Sequence, residues 1–293
     1  SEKDISDLEF AVSIDADFVA LSFVRSADEV LDLKERISKL GGQQTVVAKI
    51  ERPEAIERFD EILDATDVVM LARGDLGVEL PLEELPQVQK QIIGKCNDVA
   101  VPVITATQML ESMTTHPRPT RAEVSDVANA IYDGTDAIML SGETASGQYP
   151  VDAVEVMADI ARKADAALIA APPYARIVRM RESGIRQGRG NFGDAVSQSA
   201  CRIANAIGAR RIVCFTKTGA TAALISRYRP NVPITALGMD DAVSRRCAVI
   251  WGLDSARTVE AHTVHELLVI ADETLLQRGL AEKGDVVVIT GGT

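Results

Sequence analysis

No stretch of the 293 residues approaches the run of about 20 apolar residues that a membrane-spanning helix needs. The first ten residues, SEKDISDLEF, are polar and acidic and do not read as a secretory signal. Positive charge is also short: 31 Lys and Arg against 43 Asp and Glu leave a net charge of −12. That argues against a general nucleic-acid binder, whose contact face must be basic. It does not argue against small anionic ligands, which a local Lys/Arg cluster can hold. Four cysteines (Cys96, Cys201, Cys214, Cys247) form no CxxC pair and lie in apolar or helical segments. They read as buried free thiols in a reducing compartment, so the cytoplasm is expected. Only His116, His262 and His265 are available as imidazoles. His262 and His265 have no third ligand in sequence and read as a solvated helix start. No Ser/His/Asp or Cys/His set presents itself, and no Walker loop.

What is present is a hydrophobic content of 46%, enough for one large core or two ordinary ones. Short β-branched runs alternate with helical patterns. The runs are DFVALSF from Asp17, TVVAKIE from Thr45, DVVMLARGD from Asp67, VPVITATQ from Val101 and DAIMLSGET from Asp136. Helical segments lie between them, among them SADEVLDLKERISKL, RPEAIERFDEIL, PLEELPQVQKQIIGKCNDVA and TRAEVSDVANAIYDG. Ser26 followed by Glu29 has the shape of a capping box. Nearly continuous apolar strands are buried on both faces, which predicts a parallel sheet of βα units.

Each run turns polar at its C-terminal end: Ser22; Lys49 and Glu51; Arg73 and Asp75; Thr105 and Thr107; Ser141 and Glu143. A (β/α)₈ barrel gathers its site at those ends. An open doubly wound sheet does so at a switch point on the same edge.

Residues i and i+2 of a strand share a face, so Lys49 and Glu51 are expected side by side, and Arg73 and Asp75 likewise. A lysine near two carboxylates suits a divalent cation and an anionic substrate. Mg²⁺ takes one or two carboxylates, so Glu51 and Asp75 are the natural pair. Lys49 would neutralise a phosphoryl group in transfer. The competing reading is a pair of surface salt bridges at loop starts. Arg73-Gly74-Asp75 could also be an adhesion tripeptide, but that needs an extracellular loop, which the cysteine usage disfavours. Gly74 lets backbone approach a ligand, and the helix expected after it would aim N–H groups at an anion. Thr107 adds a hydroxyl at the next strand end.

After PVDAVEVMADIARKADAALIA the texture changes. Pro172-Pro173, several glycines and Arg176, Arg179, Arg181, Arg186 and Arg189 mark a linker over 171–189 between a first domain, 1–170, and a second, 190–293. The second has its own βα series, with strands expected in RRIVCFT, VPITALG, SARTVEA and DVVVITGG. Thr216, Lys217, Thr218, Gly219 and Thr221 lie between a strand and a helix, as a phosphate cradle or an ordinary polar turn would.

Taken together, VAKIERPEAIERFDEIL, VMLARGDLGVELP, VITATQMLESM, PRPTRAEVSDVANAIYDGTDAIMLSGETASGQYP and RYRPNVPITAL resemble the pyruvate kinase family, from about Lys3 to the last residue. The resemblance implies a partial (β/α)₈ TIM barrel followed by a smaller three-layer α/β regulatory domain. It implies phosphoryl transfer from phosphoenolpyruvate to ADP, giving pyruvate and ATP. By it, Lys49 matches the lysine that stabilises the moving phosphoryl group, and Glu51 and Asp75 match the ligands of Mg²⁺ or Mn²⁺. Gly74, Asp75 and Thr107 match the cradle of the substrate carboxylate, Thr107 also lying near the proton delivered to the enolate. Ser22 matches a residue lining that pocket. Thr216 to Thr221 match the loop that holds a sugar-phosphate activator in regulated members, and Arg121 lies near a subunit contact of the expected homotetramer.

By the same resemblance, earlier barrel strands, the K⁺ site they help form, a lid domain over the nucleotide and a final strand fall outside this sequence. The chain is therefore expected to hold about five of eight barrel strands and to be a fragment that does not turn over alone. The alternatives are a non-catalytic sugar-phosphate sensor, and a barrel lyase or aldolase acting on a 2-oxo acid, which TATQMLESM speaks against.

Overall fold

The computed structural model describes residues 1–170 and 192–291. The chain divides into two compact units, Ser1–Pro173 and Tyr174–Thr293. The expected linker over 171–189 lies outside the described residues.

In the first unit, α1 (Glu2–Ser13) leads into β1 (Phe18–Leu21), α2 (Ala27–Lys39) and β2 (Thr45–Ile50). Two short helices, α3 (Pro53–Glu57) and α4 (Phe59–Ala65), precede β3 (Val68–Ala72). Then come α5 (Arg73–Glu79), α6 (Leu85–Val99), β4 (Val103–Ala106), a 3₁₀ turn (Glu111–Thr114) and α7 (Arg121–Asp133). The unit closes with β5 (Ala137–Met139), α8 (Gly142–Ala145) and α9 (Pro150–Ala170).

All five strands are parallel, in the order β1-β2-β3-β4-β5. An order that simply follows the sequence has no switch point, so the winding is that of a (β/α)₈ barrel rather than of a doubly wound sheet. Strand alternation divides the side chains. Val46, Ala48, Ile50, Val69 and Leu71 pack with Val30, Ile37, Ile62, Ile92 and Ile93 of the helices. Each such fully buried aliphatic side chain stabilises by about 1.5–3 kcal/mol. Lys49 is of the opposite parity in β2, in register with Met70 of β3, so its side chain leaves the sheet away from that helical layer.

Several local expectations need correction. RPEAIERFDEIL is two helices, broken at Arg58, where φ is −103° and ψ 19°. Ser26 makes no side-chain cap; Glu29 accepts instead from the N–H and guanidinium of Arg25. The capping boxes that do form are Ser1 with Asp4 and Thr120 with Glu123.

The second unit runs α10 (Phe192–Ile207), β6 (Arg211–Phe215), α11 (Ala220–Ser226), β7 (Ile234–Gly238), α12 (Asp241–Cys247), β8 (Leu253–Arg257), α13 (Val264–Gln277) and β9 (Val287–Gly291). Its sheet is parallel in the order β8-β7-β6-β9. The third strand comes two residues earlier than SARTVEA predicts. Ile212, Cys214, Ile234 and Ala236 face Cys201, Ala204, Ile225 and Val243 of α10 to α12. Val213 and Leu237, of the other parity, face Ala271 and Leu275 of α13. That is a three-layer α/β sandwich, as expected.

Candidate active site

Two groups of polar residues at the C-terminal ends of β1 to β4 are held together by hydrogen bonds. In the first, Lys49 Nζ lies 2.5 Å from Glu51 Oε1 and donates to Ser22 Oγ at 3.0 Å. Glu51 is only 1% exposed, whereas the Lys49 side chain keeps 24% of its surface. The other carboxylate oxygen, Oε2, accepts from the backbone N–H of Phe23 at 2.6 Å. This is not a surface ion pair: a buried carboxylate is stable here because a cation and a backbone donor both face it.

In the second group, the N–H of Gly74 donates to Thr107 Oγ1 at 2.7 Å. The hydroxyl in turn donates to the carbonyl of Ala106 at 2.6 Å. Thr107 and Gln108 are both left-handed, at φ 67° and 54°, an uncommon state for two successive non-glycine residues. Arg73 holds this turn. Its Nη2 donates to the Thr107 carbonyl at 3.1 Å, and its Nη1 to Asp126 Oδ1 at 2.9 Å and Gln89 Oε1 at 3.2 Å. A Cβ on Gly74 would sit 3.2 Å from Thr107 Oγ1, so the close approach itself calls for glycine.

The expectation that Arg73 and Asp75 share a strand face is wrong. β3 ends at Ala72 and α5 begins at Arg73. Two residues along a helix turn about 200° rather than 360°. Arg73 is therefore buried at 9% exposure, while Asp75 is exposed and has no hydrogen bond or ion pair among the described residues. Glu143, read as another strand-end group, is fully buried. It accepts from the N–H of Leu110 at 3.0 Å and of Ser141 at 2.8 Å, tying the ends of β4 and β5 together.

Sequence reasoning assigned no role to Phe23, Arg52, Gln89 or Asp126. Gln89 and Asp126 lie 16 and 53 residues from Arg73, and only the fold brings them to it. Among the described residues no group of three or more His, Cys, Asp or Glu is gathered for a metal. Mg²⁺ and Mn²⁺ need as few as one or two carboxylates, because water and substrate oxygens complete their shells. Glu51 keeps lone pairs beyond its two present contacts.

In the second unit, Thr216 Oγ1 accepts from the N–H of Gly219 at 2.9 Å, and Thr218 Oγ1 from that of Ala220 at 3.4 Å. Gly219 is left-handed at φ 93°, and its missing Cβ would lie 3.3 Å from Cys247 Sγ. Lys217 and Thr218 are exposed and Thr221 is half-buried. The loop leaves β6, which lies between β7 and β9, so it borders a switch point, where α/β sheets bind ligands.

Sequential parallel strands with a lysine, carboxylates and a threonine at their C-terminal ends define a (β/α)-barrel protein with a strand-end site, followed by an α/β domain. The chain belongs to the pyruvate kinase family: "Pyruvate kinase, barrel domain" matches residues 1–154 and "Pyruvate kinase, alpha/beta domain" matches residues 194–293. It is 46% identical over its whole length to a pyruvate kinase of Geobacillus stearothermophilus, covering 49% of that protein. It is 42% identical to one of Clostridium acetobutylicum, covering 60%, and 43% identical to one of Clostridium perfringens, covering 61%. The chain thus spans about half to three-fifths of the length of these curated relatives. No helix among the described residues is long and apolar enough to cross a membrane.

Proposed function

We propose that the chain carries the strand-end half of a phosphoryl-transfer site that moves phosphate from phosphoenolpyruvate to ADP, giving pyruvate and ATP, within a homotetrameric, cytoplasmic, K⁺-dependent enzyme. The observation that carries this reading is the buried Glu51 carboxylate paired with half-buried Lys49 beside Ser22, one strand away from the Gly74–Thr107 contact. A divalent cation held by Glu51 and Asp75 would draw charge from the substrate oxygens. Lys49, with its exposed ammonium edge, neutralises the phosphoryl group in transfer. The substrate carboxylate docks at the start of α5, where the Gly74 N–H and the Thr107 hydroxyl would turn to it from their present acceptors, Thr107 Oγ1 and the Ala106 carbonyl. We assign Thr107 to the neighbourhood of the proton delivered to the enolate.

The test is a calorimetric titration of Mn²⁺ into the chain with oxalate, a mimic of the pyruvate enolate. Binding that both Glu51→Gln and Asp75→Asn abolish supports the reading. Binding indifferent to either removes that residue from the metal site.

The switch-point position of Thr216 to Thr221 favours a second ligand in the other unit, a sugar phosphate acting as effector. Titration with a sugar bisphosphate, with Thr216→Val and Gly219→Val as controls, tests it. Effector binding without Mn²⁺ binding would favour the sensor alternative.

A further inference from the structure

Phe23 is out of place by conformational criteria. It is left-handed at φ 56°, which for a bulky residue is a true outlier, and the residue is 53% exposed. Glycine would adopt the same backbone freely. Strain of this kind persists where surrounding contacts over-determine it, and it clusters at functional sites.

The contacts are specific. The Phe23 N–H points at Glu51 Oε2 at 2.6 Å. The guanidinium of Arg52 stacks over the Phe23 ring, 5.4 Å from its centroid. Arg52 Nη1 is anchored in turn on Glu79 Oε1 at 3.0 Å, at the far end of the helix that begins with Arg73, Gly74 and Asp75. One chain of contacts therefore joins the end of β1, the end of β2 and α5.

We infer that Phe23 is a positioning residue for Glu51: its left-handed N–H fixes the carboxylate plane, and the Arg52–Glu79 strap over the ring keeps that N–H in place. With Lys49 on one oxygen and Phe23 on the other, the carboxylate has no rotational freedom left. Outer partners that orient a ligand typically change metal affinity by about 10–100-fold when removed. The inference rests on the reading of Glu51 as a cation ligand.

The experiment titrates Mn²⁺, with oxalate, into the parent chain and into Phe23→Gly, Phe23→Tyr, Arg52→Ala and Glu51→Gln, with a thermal melt of each. Phe23→Gly relieves the backbone and deletes the ring. It is expected to melt no lower than the parent by more than a few degrees yet bind Mn²⁺ about tenfold more weakly. Phe23→Tyr keeps the ring and backbone and is expected within about twofold of the parent, and Arg52→Ala about threefold weaker. A purely structural role would move the melt and the affinity together, and that result overturns the inference. So does Phe23→Gly binding as tightly as the parent while Glu51→Gln does not bind. If the parent does not bind, or Glu51→Gln binds as well as it does, the metal reading fails and the inference falls with it.

Discussion

The guanidinium of Arg73 reaches the carbonyl oxygen of Thr107 at 3.1 Å from the adjacent strand end, and it does so from a side chain that is itself buried. A residue that in isolation looks like part of an adhesion tripeptide is a brace for the turn after β4. The same guanidinium pairs with Asp126 of α7 at 2.8 Å.

Arg73→Met keeps the aliphatic stem and removes the brace. It leaves the Thr107 carbonyl, Gln89 and Asp126 without their donor. Breaking a fully buried pair costs about 3–5 kcal/mol. The Asp126 side chain is 41% exposed, so water takes over part of its solvation. The expected loss is therefore about 2–3 kcal/mol, read as a shift of the urea midpoint. A midpoint within error of the parent would mean the turn holds itself.

Gly74→Ala separates binding from stability. Gly74 has no positive φ among the chain's left-handed residues, and it lies in the first turn of α5, where alanine is tolerated. The added Cβ, however, would stand 3.2 Å from Thr107 Oγ1 and 3.4 Å from Thr107 Cβ. The hydroxyl must move and the 2.7 Å bond must lengthen. Stability is expected to change by less than about 1 kcal/mol, while oxalate affinity in the presence of Mn²⁺ falls about tenfold. Equal affinity would show that the Gly74–Thr107 contact is incidental to anion binding.

The strands and the polar character of their ends are legible in the sequence because a strand buried on both faces must be apolar until it meets the site. Lys49 and Glu51 follow from i, i+2 alternation, and they do meet. Arg73 and Asp75 fail the same argument because the helix starts one residue after β3, and nothing in ARGDLG marks where the extended backbone stops. The capping box at Ser26 fails because Arg25 competes for Glu29 with both its N–H and its guanidinium. Asp126 and Phe23 were not legible at all. The first depends on packing between residues 53 apart, and the second on a backbone angle that phenylalanine does not advertise.

The start of α7 offers a pH-dependent test. The Glu123 carboxyl is held below its ordinary range: burial pushes it up, but bonds from the hydroxyl and N–H of Ser112 and from Thr120 outweigh that. A depressed carboxyl stabilises the fold above its unfolded value and loses that contribution as pH falls through its folded value. Glu123→Gln is expected to cost about 1–2 kcal/mol at neutral pH. The gap from the parent should close as pH falls below about 4.5. A gap that does not change with pH would show that the side chain acts by packing rather than by charge.

The four thiols are all buried. Burial pushes Cys201 up to about 12 and Cys247 up to about 11. Cys214 is raised by burial and then by the neighbouring Cys247 and Cys201. Thiolate, not thiol, is the reactive form. A disulfide-exchange reagent at pH 8 is therefore expected to label the native chain only at the rate of unfolding, and to label all four thiols in denaturant. The linkage has a definite sign. A folded thiol with a raised value keeps its proton where the unfolded thiol, near 9, has lost it. The native state then binds more protons, and stability falls as pH rises above about 9. Replacing Cys201 and Cys247 by alanine should flatten that alkaline fall in the urea midpoint of the second unit, at the cost of a lower midpoint throughout. An alkaline fall as steep in the double variant as in the parent would assign it to Cys214, or to lysine and tyrosine ionisation, instead.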